Sequence, residues 1–376
     1  MIHKLTICLI FLVTLTSVSG KSIQAEFEQV DRIVVVGDIH GDYDQVIAVL
    51  KSADLINDKK RWIGGETHLV QLGDIPDRGP DTKEIIEYFQ RLKKEASRAG
   101  GFVHTLIGNH DAMNMQGDLR YVHEGEYKAF ASRESKRKLD VLYEDTVSQI
   151  KKTKPEAEWP QFNRAHKQAW LEDKPHGYVE HRLEWLPDGS FGKLTLANNA
   201  VLKIGDSLFV HAGIGPADVN LTIEEINTQV RDTLEKMNIR RETIVRRENG
   251  PLWYRGLAQN PERAEEPHVD QVLENFGVNR IVIGHTPTPG VIVPRFDGKV
   301  ILADVGLSKH YGDNLACLEI ANGKTYAIHR GKRIELPKSN NKDFVRYLEQ
   351  IVPLEKNNKH LELWMDRLKK AQVKAD

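Results

Sequence analysis

At 376 residues, with 40% hydrophobic and 28% charged side chains, the chain has enough apolar content to bury a core as one large domain or two small ones. Lys and Arg number 53 against 54 Asp and Glu, for a net charge of −1. Such a balance supplies no field to draw in nucleic acid or an anionic membrane, so no nucleic-acid partner is expected.

Residues 1–20 read as a signal peptide. Lys4 gives a short positive start, residues 5–15 are apolar, and Ser17, Ser19 and Gly20 offer a small-residue cleavage site. The apolar run is shorter than the ~20 residues that a membrane span needs. Export to the periplasm or beyond is therefore expected, without stable membrane insertion. Cys8 would leave with that segment and Cys317 would remain alone, so no internal disulfide is expected.

The first strand of the core is Val34-Val-Val, which runs into Gly37-Asp-Ile-His-Gly41. Tyr43, Val46, Ile47, Leu50 and Ala53 then recur at helical spacing. A second strand at 68–72 enters Gly73-Asp-Ile-Pro-Asp-Arg-Gly79, and Asp81 with Glu84 signals a capping box for the next helix. A third strand at 102–107 enters Gly108-Asn-His-Asp111. Strand and helix alternate, and right-handed crossovers would line up the three glycine-led loops along one sheet edge, where α/β sheets bind ligands. Asp38, Asp74 and Asn109 follow one another by 36 and 35 residues, one strand–helix unit each.

From 113 to 199 the pattern turns helical and rich in both charge signs, with apolar residues such as Leu139, Leu142 and Ile150. This insertion reads equally well as a cap over a site and as a solvated helical face. Strands return at 200–204 and 207–210, the latter entering His211-Ala-Gly213, and Thr222 with Glu225 caps a helix. A strand at 280–283 enters Gly284-His-Thr286, and short strands at 291–293, 300–303, 315–320 and 325–329 are expected to pair antiparallel in a second sheet. The remainder, from 336, reads as amphipathic helix broken near Pro353 and lying outside the catalytic core. The resulting division is 1–20, a core in two parts at 30–112 and 200–335, the insertion at 113–199 and a helical end at 336–376.

Five loops at strand ends thus carry Asp38, His40, Asp74, Asn109, His211 and His285, an oxygen and nitrogen donor set with no thiolate. Manganese, iron or zinc suits such donors. Two cations bridged by one carboxylate can clamp the attacking and leaving oxygens of a phosphoryl group and acidify a water between them. Asp74, from the central loop, is the natural bridge. Arg78 and Arg255 have the guanidinium fork that phosphate oxygens fit. His110 could protonate the leaving oxygen, with Asp77 orienting its ring. The bland readings are Asx turns for the Asp and Asn residues, core positions for His211 and His285, a surface ion pair for Arg78, and plain packing beside Trp253-Tyr254 for Arg255. His104 reads as structural, and the loop with Asp304, His310 and Tyr311 reads as either surface or site.

Gly37-Asp-Ile-His-Gly41, Gly73-Asp-Ile-Pro-Asp-Arg-Gly79, Gly108-Asn-His-Asp111, His211-Ala-Gly213 and Gly284-His-Thr286 together resemble, in order, the motifs of the phosphoprotein phosphatase (PPP) metallophosphatases. The stretches Gly108-Asn-His-Asp-Ala-Met-Asn114, Phe209-Val-His-Ala-Gly-Ile214 and Gly250-Pro-Leu-Trp-Tyr-Arg-Gly256 are similar to the bacterial-type, Shewanella-like branch. The resemblance implies an α/β fold, a calcineurin-like β-sandwich flanked by helices, and phosphomonoester hydrolysis by metal-activated hydroxide without a phosphoenzyme. It implies one metal on Asp38, His40 and Asp74 and another on Asp74, Asn109, His211 and His285. By the same motifs Arg78 and Arg255 bind phosphate and His110 is the general acid beside Asp77. Phosphorylated protein or peptide, with phosphotyrosine among the candidates, is the implied substrate. A nucleotide or dinucleoside polyphosphate hydrolase and a non-catalytic phospho-binding module are the alternatives. A cysteine-based phosphatase is excluded, because the sixth residue after Cys317 is Gly323 and not Arg. Three departures from the family pattern stand out: Asp111 replaces a glutamate one methylene longer, Pro76 an apolar residue, and Ala212 a glycine.

Overall fold

The computed structural model describes residues 23–338, 341–355 and 358–373; the 1–20 segment read above as a signal peptide lies outside them. The strands in chain order are β1 (Glu26–Phe27), β2 (Arg32–Val36), β3 (His68–Gln71), β4 (Phe102–Thr105), β5 (Val201–Ile204), β6 (Ser207–Val210), β7 (Arg280–Ile283), β8 (Val293–Arg295), β9 (Val300–Leu302), β10 (Ala316–Ala321), β11 (Lys324–His329) and β12 (Lys332–Glu335). They form two mixed sheets of six, in the orders β12-β11-β10-β2-β3-β4 and β1-β5-β6-β7-β9-β8. Ile33, Val34, Val35 and Val36 are all buried, as a strand covered on both faces requires.

Register decides where the loops go. In the first sheet β2, β3 and β4 run parallel with Val36 opposite Gln71 and Gln71 opposite Thr105. In the second, β6, β7 and β9 run parallel with Val210 opposite Ile283 and Ile283 opposite Leu302. The loops after these strands therefore leave from the carboxyl ends of two stacked sheets.

The first helix, α1 (Tyr43–Ser52), starts where Asp42 accepts from the Gln45 N–H at 3.2 Å. The next, α2 (Thr82–Arg98), lacks the capping box expected from Asp81, whose carboxylate instead accepts from the Tyr43 N–H at 3.4 Å and ties the two helix starts together. A short helix, α3 (Asn109–Gln116), begins on the third glycine-led loop. Five more fill the insertion: α4 (Glu124–Phe130), α5 (Ser135–Thr153), α6 (Arg164–Glu172), α7 (Tyr178–Trp185) and α8 (Ser190–Leu196). Next comes α9 (Ile223–Glu235), where Thr222 and Glu225 form the expected reciprocal cap. It is followed by α10 (Gly256–Gln259), α11 (Glu262–Phe276), α12 (Asn341–Ile351) and α13 (Lys359–Val373).

Two further expectations are corrected. The late strands divide between the sheets: β8 and β9 extend the second, whereas β10 pairs antiparallel with β2 and carries β11 and β12 onto the first. Their antiparallel run identifies neighbours within the hairpin but not the sheet they join. The C-terminal helices also do not lie outside the core. Tyr347, Leu348, Ile351 and Leu361 are buried in the main hydrophobic cluster, and the Tyr347 hydroxyl donates to the Ile292 carbonyl at 3.1 Å. Among the described residues no helix is long and apolar enough to cross a membrane.

Candidate metal centre

Each candidate ligand sits on the first turn beyond a strand, and the backbone there is unusual. His40, Asp74, Asp77, Arg78 and His285, five of the ten candidate site residues, have positive φ between +50° and +75°. Non-glycine residues rarely accept that region, and it persists where surroundings over-determine it, as at functional sites. The Asp74 carbonyl accepts from the N–H groups of Ile39 and His40 at 3.1 and 3.0 Å, so the first loop is hung on the second. Gly41 (φ +65°) and Gly79 lie backbone to backbone, and a Cβ on either would collide with the other's carbonyl.

These turns bring the six expected ligands together, all 5% exposed or less. Asp74 Oδ2 lies 3.4 Å from His211 Nε2 and 3.9 Å from His40 Nε2. Asp38 Oδ2 is 4.0 Å from His40 Nε2, and Asp38 Oδ1 is 4.0 Å from His211 Nδ1. Asn109 Oδ1 is 2.8 Å and His285 Nδ1 3.2 Å from His211 Nε2. Two groups of potential ligand atoms close enough to share an ion result, His40–Asp74–His110 and Asp74–His211–His285, with Asp74 common to both.

Hydrogen-bond accounting tests whether a cation fits. His211 Nδ1 faces the Leu72 carbonyl at 2.9 Å and His40 Nδ1 the Pro76 carbonyl at 3.2 Å. Each Nδ1 must carry the proton to satisfy its carbonyl, so a neutral ring presents a bare Nε2 lone pair. That of His211 meets an amide oxygen, a carboxylate and a second imidazole, and lone pairs do not stabilise one another. His285 Nε2 is buried with no hydrogen-bond partner. The ionisation pattern agrees. Burial, then the charges of Asp304 and Asp74, push Asp38 well above the usual carboxylate range. Burial lowers His40 to about 3 and, with His211 beside it, drives His285 well below the usual imidazole value, so both stay neutral as ligation requires. For Asp74, burial is outweighed by His211 and His110, and its carboxyl is held well below the usual range. A donor set of buried carboxylates and lone-pair-bearing imidazoles is completed by cations, and these residues fit a dinuclear site.

The other expected residues border this centre. His110 Nδ1 is 2.5 Å from Asp77 Oδ2, while its Nε2 points toward Asp74 Oδ2 at 3.9 Å. Burial would lower its pKa, but Asp74 and the bonded Asp77 outweigh that and raise it. Asp77 is fully buried and also accepts from Asn114 Nδ2 at 2.9 Å. Arg78 is half-buried at the mouth, its guanidinium 3.9 Å from the centre of the Tyr121 ring. Arg255 donates from Nη1 to the His285 carbonyl and to Thr286 Oγ1, both at 2.9 Å, which places it on the His285 loop.

Asp111 reaches its partners despite the shorter side chain. Its Oδ2 accepts from the N–H groups of Asp74 and Gly108 at 2.8 and 2.9 Å, joining the second and third loops. Burial, then Asp74, raises it to about 7. His104 is structural, 3.1 Å from His68. Tyr311 lies with its ring 4.9 Å from that of His40, and Asp304 is buried within the field of Asp38, whereas His310 is exposed. Tyr121 and Glu126 carried no sequence signal for the site. The Asp77 N–H donates to Glu126 Oε1 at 2.8 Å.

Comparison with known proteins agrees with this geometry. The family model for calcineurin-like phosphoesterases matches residues 31–289. Shewanella-like protein phosphatase 2 of Arabidopsis thaliana is 32% identical over 311 residues, covering 81% of this chain and 79% of the relative. An uncharacterized protein of Schizosaccharomyces pombe is 31% identical, covering 84% and 86%. The crystal structure of a cold-active protein-tyrosine phosphatase from a psychrophilic Shewanella superposes with a TM-score of 0.63 at 28% identity, covering 83% of this chain and 82% of that one. The chain belongs to the calcineurin-like phosphoesterases, in their Shewanella-like protein phosphatase branch.

Proposed function

We propose that the chain hydrolyses phosphomonoesters on proteins or peptides, phosphotyrosine first among them. Asp38, His40 and Asp74 would hold one cation, and Asp74, Asn109, His211 and His285 the second. When bound, the two ions supply Lewis-acid charge to the phosphoryl oxygens and make water acidic enough to attack at neutral pH. Manganese, iron and zinc all match the donors.

The chain's own residues do the rest. Arg78 receives the equatorial phosphoryl oxygens in its guanidinium fork. Arg255, anchored on the His285 carbonyl, adds positive charge from the His285 loop. His110 gives a proton from Nε2 to the departing oxygen, and Asp77 holds the imidazole by Nδ1 and favours its protonated form. The observation that carries the reading is the 2.5 Å His110–Asp77 contact beside the carboxylate–imidazole cluster. A module that only held phosphate would have no use for an acid poised at the ester oxygen. The Shewanella neighbour, described as a protein-tyrosine phosphatase, supports the choice of substrate.

The test is metal analysis of the purified chain together with turnover of a phosphotyrosine peptide, a phosphoserine peptide and a dinucleoside tetraphosphate. Fastest release from phosphotyrosine, abolished by a chelator, is expected. Preference for the tetraphosphate would move the chain to the nucleotide-hydrolase reading, and binding without turnover to the phospho-binding one. Export through residues 1–20 is part of the proposal, and cell fractionation tests it.

A further inference from the structure

The turn that carries Asp77 and Arg78 is held by a part of the chain outside every motif. Asp77 (φ +75°) and Arg78 (φ +69°) are successive non-glycine residues in left-handed backbone. Such a pair stays put only if its surroundings compel it. Both of its N–H groups are taken up by the start of the helical insertion. That of Asp77 donates to Glu126 Oε1 at 2.8 Å, and that of Arg78 to the Tyr121 carbonyl at 3.0 Å. The Tyr121 ring then lies on the Arg78 guanidinium, 3.9 Å from Cζ, with its centroid 5.2 Å from that of His110. Glu126 is 1% exposed, and on its other side His181 from α7 comes within 3.8 Å of Oε2. Burial and the adjacent Asp77 charge push the Glu126 carboxyl well above its usual range.

We propose that Tyr121 and Glu126 are positioning residues: residues 119–126 strap the Asp77–Arg78 turn into its left-handed form, Tyr121 aiming the guanidinium at the phosphoryl group and Glu126 aiming Asp77 at His110. A buried acid whose only task was to satisfy an N–H could sit beside any turn. This one holds the residue that orients the proton donor, and its neighbour in the strap stacks on the phosphate arginine. The two contacts serve separable steps, anion binding and proton delivery. The inference rests on the phosphomonoesterase reading, and it makes the insertion a working part of the site.

The separation of roles sets the experiment, made on the full chain with its metals. Tyr121→Leu should raise KM and the inhibition constant of inorganic phosphate together, by about 3- to 30-fold. Tyr121→Phe, which keeps the ring, should restore both. Glu126→Leu should slow an alkyl phosphate at least about tenfold more than an aryl phosphate, whose leaving oxygen scarcely needs a proton. It should also shift the downfield proton resonance of the His110 Nδ1–H. Glu126→Gln, which keeps a carbonyl for the Asp77 N–H, should restore the alkyl-to-aryl ratio and the resonance. If Glu126→Leu does not fold, Glu126→Asp withdraws the acceptor by one methylene and serves in its place. A lowered melting temperature with unchanged phosphate affinity, leaving-group ratio and resonance would overturn the proposal. Should the wild-type chain turn over no phosphomonoester, the functional reading falls by itself. Phosphate calorimetry on the Tyr121 variants and the His110 resonance in the Glu126 variants would still decide the strap.

Discussion

The catalytic edge and the outer half of the helical insertion handle charge in opposite ways. At the edge, Asp38, Asp74, His211 and His285 are buried within a few ångströms of one another, and each is fixed by a backbone group or another side chain. On the outer face of α5 and α6, Lys167 reaches Asp140 and Glu144 at 3.0 Å each, with all three side chains a third or more exposed. Solvent screens the second kind of pair, so that its members are nearly interchangeable. The first kind cannot be rearranged, since each buried polar group depends on the particular partner that faces it.

Substitutions can break this contrast in order of size. Asp74→Asn removes the charge shared by both ligand groups and should lower turnover on the order of 10^3-fold or more, with the melting temperature little changed. Retained activity in a steady-state assay would end the shared-carboxylate account. His110→Asn should cost about 10^2-fold on an alkyl phosphate and clearly less on an aryl phosphate; equal losses would remove His110 as the acid. Asp111→Ala deprives the Asp74 and Gly108 N–H groups of their acceptor and should weaken metal affinity about 10- to 100-fold in a competition titration. Lys167→Ala, on the outer face, should change neither turnover nor melting temperature.

A pH series sharpens the same contrast away from the metals. Burial lowers His68 to about 4 and His104, with His68 beside it, to about 3, against an ordinary value of 6.5. At these two rings the unfolded chain therefore binds more protons than the folded one between pH 6.5 and about 3–4, and their contribution to stability rises with pH across that window. Each histidine can steepen the folding equilibrium by up to about tenfold per pH unit. In urea midpoints taken from pH 7.5 down to 4.5, His104→Leu should gain on the wild type below pH 6.5. A constant difference between wild type and His104→Leu across the series would show that this ring protonates in place.

The turns of the candidate metal centre were legible because each is a local event, an apolar strand ending in glycine and then a polar residue. Even spacing of Asp38, Asp74 and Asn109 reported one strand–helix unit apiece, and the parallel register does align them. What stayed hidden depended on distant partners. Nothing near β10 in sequence says that it pairs with β2, and nothing around Tyr121 or Glu126 distinguishes them from ordinary residues of a helical insertion. Asp81 shows the converse, since its local signal for a capping box was overruled by the Tyr43 N–H of another helix.

The abutting Gly41 and Gly79 have a consequence for how this centre can vary. One lies a residue after His40 and the other a residue after Arg78. With carbonyl against Cα and no side chain between them, they act as a spacer of zero thickness between the His40 loop and the Arg78 loop. Any methyl group added there would wedge the two apart at once. The gap between the His40 imidazole and the Arg78 guanidinium is thus a quantity the chain cannot tune gradually, so diversification must act on the walls around it.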